Sequence, residues 1–346
     1  MAKQTLAVKY RPKMFEDVVE QEAIKVILRQ QLESNEVKNA YLFCGGAGTG
    51  KTTCARIFAN EINDNRGNPI EMDAASNSGV DDVRSIIQQA QTKSLDSEYK
   101  VFIIDECHSI SNTGWQAFLK LIEEPPAKSI FIFCTTDPQK IPKTILSRVQ
   151  RYDFHRISQK GIVDRLLYIL HEENEEDNGE RGISVESVEY IAKIADGGMR
   201  DAITMMDKCL SYSTELTVEN VIKALGTTDY SLMIELTDYV LNYDGKSAVT
   251  VIETIHNSGK DVKQFIKQYM RFLLDIAKFK VGCDWSCINL PKLPEYVKWA
   301  ENVEAEGVKA LLSTIINLNS EIKYSTAPKY DIEATLLLEC DLGEEE

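Results

Sequence analysis

A glycine-rich loop that ends in lysine and threonine is the part of this sequence best suited to bind phosphate. Residues 45–52 fit the pattern G-x-x-x-x-G-K-[ST], with a short apolar run before them and a helical pattern after them. Backbone N–H groups of such a loop turn toward phosphate oxygens, and the start of the helix favours negative charge. We expect Lys51 to reach the β- and γ-phosphates of a nucleotide and the Thr52 hydroxyl to bind Mg²⁺. The predicted nucleotide-binding residues of this loop are Gly45, Gly46, Ala47, Gly48, Thr49, Gly50, Lys51, Thr52 and Thr53.

Two carboxylates follow directly after the apolar run Val101–Ile104. A strand there would be buried, and its carboxyl end would face the nucleotide. Asp105 is predicted to hold Mg²⁺, because this cation prefers hard oxygen ligands. Glu106 is predicted to polarise the attacking water, which needs a nearby proton acceptor. The chemistry that these residues indicate is magnesium-dependent hydrolysis of a nucleotide.

The elements that must position these residues alternate between strands and helices in the first part of the chain. The predicted strands are Tyr41–Cys44, Ile70–Met72, Val101–Ile104 and Ile130–Cys134. The predicted helices, each with its apolar residues on one face, are Lys51–Ile62, Val80–Gln91 and Thr113–Glu123. This alternation predicts an α/β fold with a parallel sheet that helices cover on both faces.

After residue 160 the strand patterns end and only helical patterns follow. The predicted helices are Ile162–His171, Val185–Ala195, Asp201–Leu210, Val218–Leu225, Leu232–Leu241, Lys246–His256, Val262–Lys280, Val308–Ile322 and Ile332–Glu339. An acidic, exposed loop is predicted at Glu172–Gly182, and breaks at Gly197–Gly198 and near Gly226–Asp229. The sequence therefore predicts three domains: an α/β domain at 1–160, a small helical domain at 161–227 and a third, helical domain at 228–346.

The net charge of −15 belongs almost entirely to the second part of the chain. Residues 1–160 carry 21 Lys and Arg against 20 Asp and Glu, whereas residues 161–346 carry 18 against 34. Nucleic-acid-binding domains are usually basic, but a nearly neutral first part can still present a local basic face. The acidic second part favours a solvated module that faces protein partners.

Composition excludes a membrane protein and favours the cytoplasm. Apolar residues make up 43% of the chain, and no apolar run approaches the ~20 residues that a membrane helix needs. The N-terminus lacks the pattern of a secretory signal. The eight cysteines are scattered, which predicts buried thiols in a reducing compartment. Cys283 and Cys287 are the one close pair, and without a second pair they do not predict zinc.

The segment Asp105-Glu106-Cys107-His108 also resembles the motif of superfamily 2 helicases. Such enzymes carry a second motor domain with an arginine-rich motif of its own. The second part of this chain is helical and acidic and has no such motif, so the helicase interpretation is disfavoured.

Taken together, the motifs resemble those of the AAA+ clamp-loader ATPases, and within them the gamma/tau type of bacterial DNA polymerase III. The resemblance covers about residues 7–205 in order, and the helical remainder also resembles that family's oligomerisation domain. The matching segments are 7–21, 45–52, 72–76, 105–108, 119–126, 135–140, 146–148, 197–202 and, less specifically, 327–338.

The resemblance implies ATP as the nucleotide and assigns roles to residues outside the loop. Thr136 falls where the family has a polar residue near the γ-phosphate. Arg148 falls at the arginine finger, which acts on the nucleotide of a neighbouring subunit, and Arg200 falls where a residue of the lid reaches the nucleotide of its own chain. Catalytic roles are thus expected for Lys51 and Glu106 together with these three residues. The adenine pocket is expected to be lined by Tyr10, Arg11, Pro12, Val18 and Val19.

This chain departs from the family pattern at three places. Residues 63–69 are too short to hold the zinc module with four cysteines that family members commonly carry, so no zinc is expected. Basic residues that touch DNA often follow the segment 72–76, whereas here Asn77, Ser78 and Gly79 follow. The candidates for DNA contact are then Ser78, backbone amides and Arg84. Val149 stands where the family usually has cysteine. The missing zinc module and the end of the chain after the oligomerisation region favour a phage-encoded version, acting in the cytoplasm of an infected bacterium.

The predicted function is that of a clamp-loader ATPase subunit. Within a ring of homologous subunits, expected to be a pentamer, it would use ATP to open a sliding clamp and load it on primer–template DNA. Two alternatives stay open at this point. One is another AAA+ motor, such as a branch-migration helicase or a protein remodeller, and the other is a scaffold subunit that does not hydrolyse ATP.

Overall fold

The computed structural model describes residues 4–77, 79–92, 94, 96–177, 182–225, 230–291 and 293–340. The chain divides into two units. The first comprises Met1–Arg181 and Ile191–Leu210, and the second comprises Gly182–Tyr190 and Ser211–Glu346.

The first unit is built around a sheet of five parallel strands in the order β2-β3-β4-β1-β5. β4 lies between β1 and β3, so the segments that follow these three strands meet at one edge of the sheet. Parallel sheets bind ligands at the carboxyl ends of their strands. The strands are β1 (Ala40–Gly45), β2 (Ile70–Asp73), β3 (Lys100–Asp105), β4 (Ser129–Thr135) and β5 (Gln150–Phe154).

Helices cover both faces of this sheet, as the alternation of elements predicted. Side chains alternate between the faces along each strand, so that Tyr41 and Phe43 pack with Phe58 while Leu42 packs with the cluster around Trp115. The helices that begin before residue 199 are α1 (Leu6–Lys9), α2 (Glu22–Glu33), α3 (Lys51–Ile62), α4 (Val80–Ala90), α5 (Asn112–Glu123), α6 (Lys143–Leu146), α7 (Gln159–Asp177) and α8 (Val185–Ile194). They are followed by α9 (Met199–Tyr212).

All four predicted strands are confirmed, but β5 was not predicted. Its residues alternate between polar and apolar, and only Tyr152 and Phe154 are buried. As an edge strand paired on one side, β5 lacks the continuous apolar run that marks the central strands.

The exposed loop predicted at Glu172–Gly182 was wrong for its first part, because α7 continues to Asp177. Within this stretch Glu173 is almost fully buried, so this part is also not exposed throughout. Residues 178–181 lie outside the described part of the chain.

The second unit is helical, and its core surrounds α13. Buried residues of this helix, among them Phe265, Tyr269 and Phe272, pack with the neighbouring helices. The helices are α10 (Val218–Leu225), α11 (Tyr230–Leu241), α12 (Gly245–Asn257), α13 (Val262–Lys280), α14 (Pro294–Asn302), α15 (Ala305–Glu321) and α16 (Pro328–Glu339).

Two features of this unit were not predicted, namely α14 and a pair of two-residue strands. β6 (Gly182–Ile183) pairs in parallel with β7 (Glu215–Leu216). Strands this short carry no periodic signal. Among the described residues, no helix combines the length and apolar character needed to cross a bilayer.

Candidate nucleotide-binding site

The glycine-rich loop joins β1 to α3 and wraps around the ammonium group of Lys51. Lys51 Nζ donates hydrogen bonds to the carbonyl oxygens of Gly45 and Gly46, at 2.8 and 2.7 Å. Thr49 Oγ1 donates to the same Gly46 oxygen at 2.9 Å and closes the loop. Gly50, at φ +100°, leads directly into α3. The lysine is therefore held where a phosphate at the start of α3 would meet it.

Burial changes the electrostatics of this lysine. Its side chain is buried, and burial lowers the pKa of the ammonium, while the charges of Glu106 and Asp105 act in the opposite direction. An anionic ligand such as a phosphate would favour the charged form in the same way as these carboxylates.

The two residues predicted to hold Mg²⁺ lie next to each other. Thr52 Oγ1 donates a hydrogen bond of 2.7 Å to Asp105 Oδ2. A hydroxyl and a carboxylate oxygen at this distance fit the all-oxygen coordination of Mg²⁺, most of which water and phosphate usually supply. The donor set thus suits a magnesium ion bound together with a nucleotide.

Glu106 directly follows β3, and its carboxylate is held by Thr136, which directly follows β4. Its backbone has φ +47°, in the left-handed region, and its N–H donates to Asp105 Oδ1 at 3.0 Å. Thr136 Oγ1 donates to Glu106 Oε2 at 2.9 Å, so the structure brings these two predicted residues together. The orientation of the Glu106 carboxylate therefore depends on β4.

His108 is a further site residue that the sequence analysis did not identify. His108 Nδ1 lies 3.2 Å from Glu106 Oε2 and 3.2 Å from Thr135 Oγ1. The segment 105–108 resembles a helicase motif, but that resemblance did not indicate this contact. The close spacing of Glu106 and His108 in the sequence is the signal that could have predicted it.

A pocket runs from the phosphate loop to the N-terminal segment of the chain. All five residues expected around adenine line it, together with Arg200 and residues 48–53. The lining also includes the apolar side chains of Ala7, Val18, Val19, Ile157 and Ile203, which suit a flat, uncharged base. Pocket residues that the sequence analysis missed are Ala7, Asp17, Ile157, Arg165, Met199 and Ile203.

Arg200 reaches this pocket because α9 begins directly against the phosphate loop. Met199 N donates to the Gly48 carbonyl at 3.0 Å. A Cβ on Gly48, where φ is +70°, would lie 3.0 Å from Gly198 Cα, and a Cβ on Gly198 would lie 3.3 Å from the Ala47 carbonyl oxygen. A side chain at Gly48 would therefore be strained, because φ is positive there and the Cβ would press on the Gly198 backbone.

Arg148 does not line the pocket of its own chain. Its guanidinium is partly exposed, and Nε donates to Glu123 Oε1 at 2.7 Å while Nη1 donates to the Thr144 carbonyl at 2.8 Å. The side chain is accessible at the surface of the first unit, where a finger that acts on a neighbouring chain would have to be.

Of the two residues proposed to meet DNA, only Arg84 lies in the described part of the chain. Ser78 lies outside the described residues. Arg84, on α4, is exposed and pairs with Asp81 at 3.1 Å. Six of the cysteines are buried, as expected, whereas Cys283 and Cys287 are exposed.

Comparisons with known protein families match two parts of the chain. The family described as "DNA polymerase III, delta subunit" matches residues 68–158. The family described as "DNA polymerase III subunits gamma and tau domain III" matches residues 216–342.

Individual relatives match nearly the whole chain. It is 32% identical to DNA polymerase III subunit tau of Bacillus subtilis, over 98% of this chain and 64% of that protein. It is 29% identical to DNA polymerase III subunit gamma of Buchnera aphidicola, over 96% of this chain and 98% of that protein. For subunit tau/gamma of Haemophilus influenzae the identity is 30%, over 97% of this chain but only 51% of that protein. The chain thus spans between about half and two thirds of the longer relatives.

Among solved structures, the RuvB Holliday junction branch migration motor of Thermotoga maritima is similar. The TM-score is 0.51 at 20% identity, and the likeness covers 67% of this chain and 79% of that chain. At this identity the likeness concerns the fold alone, and it confirms the predicted AAA+ fold.

Proposed function

Because the chain belongs to the DNA polymerase III gamma/tau family, we propose that it is an ATP-hydrolysing subunit of a clamp loader. It would couple ATP binding and hydrolysis to the opening of a sliding clamp and its loading on primer–template DNA. The observation that carries this proposal is the meeting of Lys51, Thr52, Asp105 and Glu106 at the carboxyl edge of one sheet. These groups supply the parts that phosphoryl transfer requires.

In this proposal the chain works mainly by positioning and by electrostatic stabilisation. Lys51 and the loop N–H groups bind the β- and γ-phosphates. Thr52 and Asp105 would hold Mg²⁺, which neutralises charge on the phosphates when bound. Glu106 accepts a proton from the attacking water, and Thr136 fixes the orientation of its carboxylate.

Arg148 would complete the site of a neighbouring subunit in a ring, for which we propose five subunits. This proposal is supported by the position of Arg148, which is outside its own pocket and accessible. An arginine finger supplied by another chain contributes about 10³–10⁵ in rate. Hydrolysis would then require an assembled interface.

We further propose that the ATP-binding domain spans 1–160, that 161–227 form a lid and that 228–346 form the collar through which subunits assemble. The contact between Met199 and Gly48 supports the lid assignment, because it attaches α9 to the phosphate loop. Arg200, in the first turn of α9, would sense the bound nucleotide. Ser78 and Arg84 are the proposed DNA contacts, and the bacterial cytoplasm is the proposed location.

The fold that this chain shares with RuvB is also compatible with a second candidate, a branch-migration motor. The two proposals differ in their assemblies and in the DNA that stimulates them. The match of residues 216–342 to gamma and tau domain III supports the clamp loader. A scaffold subunit that does not hydrolyse ATP is disfavoured, because Lys51, Thr52, Glu106 and Arg148 are all present.

The test is steady-state ATP hydrolysis with and without a bacterial sliding clamp, primed single-stranded DNA or a four-way junction. We expect ATP turnover to rise when the clamp and primed DNA are both present. The mixture should also contain the other loader subunits of the bacterium that supplies the clamp. The Lys51→Ala variant serves as the control for contaminating ATPases. Stimulation by the four-way junction alone, together with a hexameric mass, would overturn the clamp-loader proposal in favour of the motor.

A further inference from the structure

Glu173 on α7 is a buried carboxylate that lies outside every motif of the sequence. Its side chain is 2% exposed. Burying a carboxylate is costly unless oppositely charged and hydrogen-bonding groups compensate for the lost water. The groups that compensate for its burial therefore show what this residue holds in place.

Two of those groups belong to the N-terminal segment of the chain. Lys9 Nζ lies 2.6 Å from Glu173 Oε1, and the Tyr10 hydroxyl donates to the same oxygen at 2.9 Å. The Lys9 ammonium also lies 5.1 Å from the centre of the Tyr10 ring. One carboxylate oxygen thus fixes two consecutive residues, and Tyr10 lines the pocket described above.

The hydroxyl of Tyr10 stays protonated at neutral pH. Burial, and then the bond to Glu173, raise the pKa of Tyr10 to about 12. The phenol therefore donates to Glu173 over the whole range in which the protein would act.

Other hydrogen bonds between the N-terminal segment and helices α7 and α9 also restrict the position of Tyr10. Arg165, which precedes Glu173 on α7, donates from Nη2 to the Tyr10 carbonyl at 3.1 Å. Leu6 N donates to Asp207 Oδ2 on α9 at 3.1 Å. The N-terminal wall of the pocket is therefore held by α7 and α9, and Glu173 is the contact that fixes the Tyr10 ring.

We propose that Glu173 is a positioning residue for the base of the nucleotide, acting through Lys9 and Tyr10. This inference rests on the proposed function, since it requires that the pocket binds ATP. Within the described part of the chain, Glu173 bonds to Lys9 and Tyr10 and forms no hydrogen bond or ion pair with residues 45–52. It should therefore affect binding of the base and leave the phosphate contacts and the chemical step intact.

The test compares two ligands, ATP and inorganic tripolyphosphate, by calorimetric titration of the full chain in the presence of Mg²⁺. Tripolyphosphate carries the phosphates without the base. We expect Glu173→Gln to weaken ATP binding about tenfold, because the charge-assisted bonds to this carboxylate are lost. Tripolyphosphate affinity should stay within about twofold, and in turnover the KM for ATP should rise while kcat is retained.

Asp275→Asn is the matched control. Asp275 is also a buried carboxylate paired with a lysine, Lys278 at 3.3 Å, but it belongs to the second unit. Its replacement should lower stability without changing the affinity for ATP. Tyr10→Phe removes the hydroxyl that donates to Glu173, so it tests the same bond from the tyrosine. Its effect on ATP affinity should not add to that of Glu173→Gln.

Three outcomes would overturn the inference. These are an unchanged ATP affinity in Glu173→Gln, an equal loss of affinity for both ligands, and additive effects with Tyr10→Phe. If Glu173→Gln does not fold, Tyr10→Phe alone decides, since an unchanged ATP affinity in that variant also refutes the inference. A wild-type chain that binds neither ligand would instead refute the proposed function.

Discussion

Gly197 lies where α9 approaches the phosphate loop, and its replacement by alanine should damage the nucleotide site from outside the pocket. The residue has φ +81°, and a Cβ there would lie 2.6 Å from Arg156 Cβ. Its carbonyl accepts a hydrogen bond of 3.2 Å from Ile157 N, a residue that lines the pocket. Arg156 also pairs with Asp196, the residue before Gly197.

The loss of stability expected for Gly197→Ala has two contributions, the left-handed backbone and the contact with Arg156. Placing alanine in the left-handed region costs about 1–2 kcal/mol. The contact with Arg156 Cβ involves an atom next to the backbone, which no side-chain rotation can move away, and overpacking of this kind typically costs about 1–3 kcal/mol more. Together they predict a loss of about 2–5 kcal/mol in the first unit.

Gly259→Ala measures the cost of the left-handed backbone conformation alone. Gly259 has φ +75°, and a Cβ there would meet no atom within 4 Å. Gly259→Ala should therefore cost only about 1–2 kcal/mol, in the second unit, and should leave ATP hydrolysis unchanged. The difference between the two variants measures the contact with Arg156.

Hydrogen exchange followed by mass spectrometry measures both units in one experiment, because each peptide reports the opening of its own region. ATP hydrolysis of both variants should be measured alongside. We expect Gly197→Ala to lower protection in α9 and to lower kcat/KM, since Arg200 is displaced with the helix. Equal losses of stability in the two variants, or full ATP hydrolysis by Gly197→Ala, would refute the reasoning.

Three further predictions concern the site itself. Lys51→Ala should weaken ATP binding about 100-fold or more, since bonds to charged groups contribute about 1.5–3 kcal/mol each, and retained affinity in a titration would contradict the assigned role. Glu106→Gln should bind ATP normally but lower kcat about 10²–10⁴-fold, because it removes the proton acceptor; normal turnover would exclude Glu106 as the base. Arg148→Ala should lower turnover about 10³–10⁵-fold if the finger acts between chains. Mixing it with Lys51→Ala chains should restore part of this activity, and a mixture that stays inactive at every ratio would count against the interface.

The phosphate site could be predicted from the sequence because its parts are local. Gly45–Thr52 are consecutive, and Asp105 and Glu106 directly follow an apolar run that indicates a buried strand. The prediction that Thr136 lies near them came from resemblance to a family. The structure supplies the physical reason, since β4 lies between β1 and β3.

The contacts that support the site were not predictable in the same way. Glu173 lies in a run of acidic residues, which usually indicates an exposed segment, and its partner Lys9 is 164 positions away. The Gly197–Gly198 pair was interpreted as a break between helices. Its approach to Gly48 depends on how α9 packs, and no local pattern encodes that distance.

The net charge of −15 also has a different meaning once its distribution is known. A net negative charge opposes binding to DNA, yet residues 1–160 are nearly neutral, with 21 cationic and 20 anionic side chains. Arg84 is 67% exposed, and its partner Asp81 is 94% exposed. Such an exposed pair is worth little, about 0–1 kcal/mol, so a DNA phosphate could replace Asp81 at small cost. Because each neutralised phosphate contributes a slope of about 0.9 to the dependence of log K on log salt concentration, one chain that neutralises few phosphates should bind DNA weakly and with a shallow salt dependence. Tight binding then requires several chains arranged around the same duplex, which is the arrangement that a ring of subunits would provide.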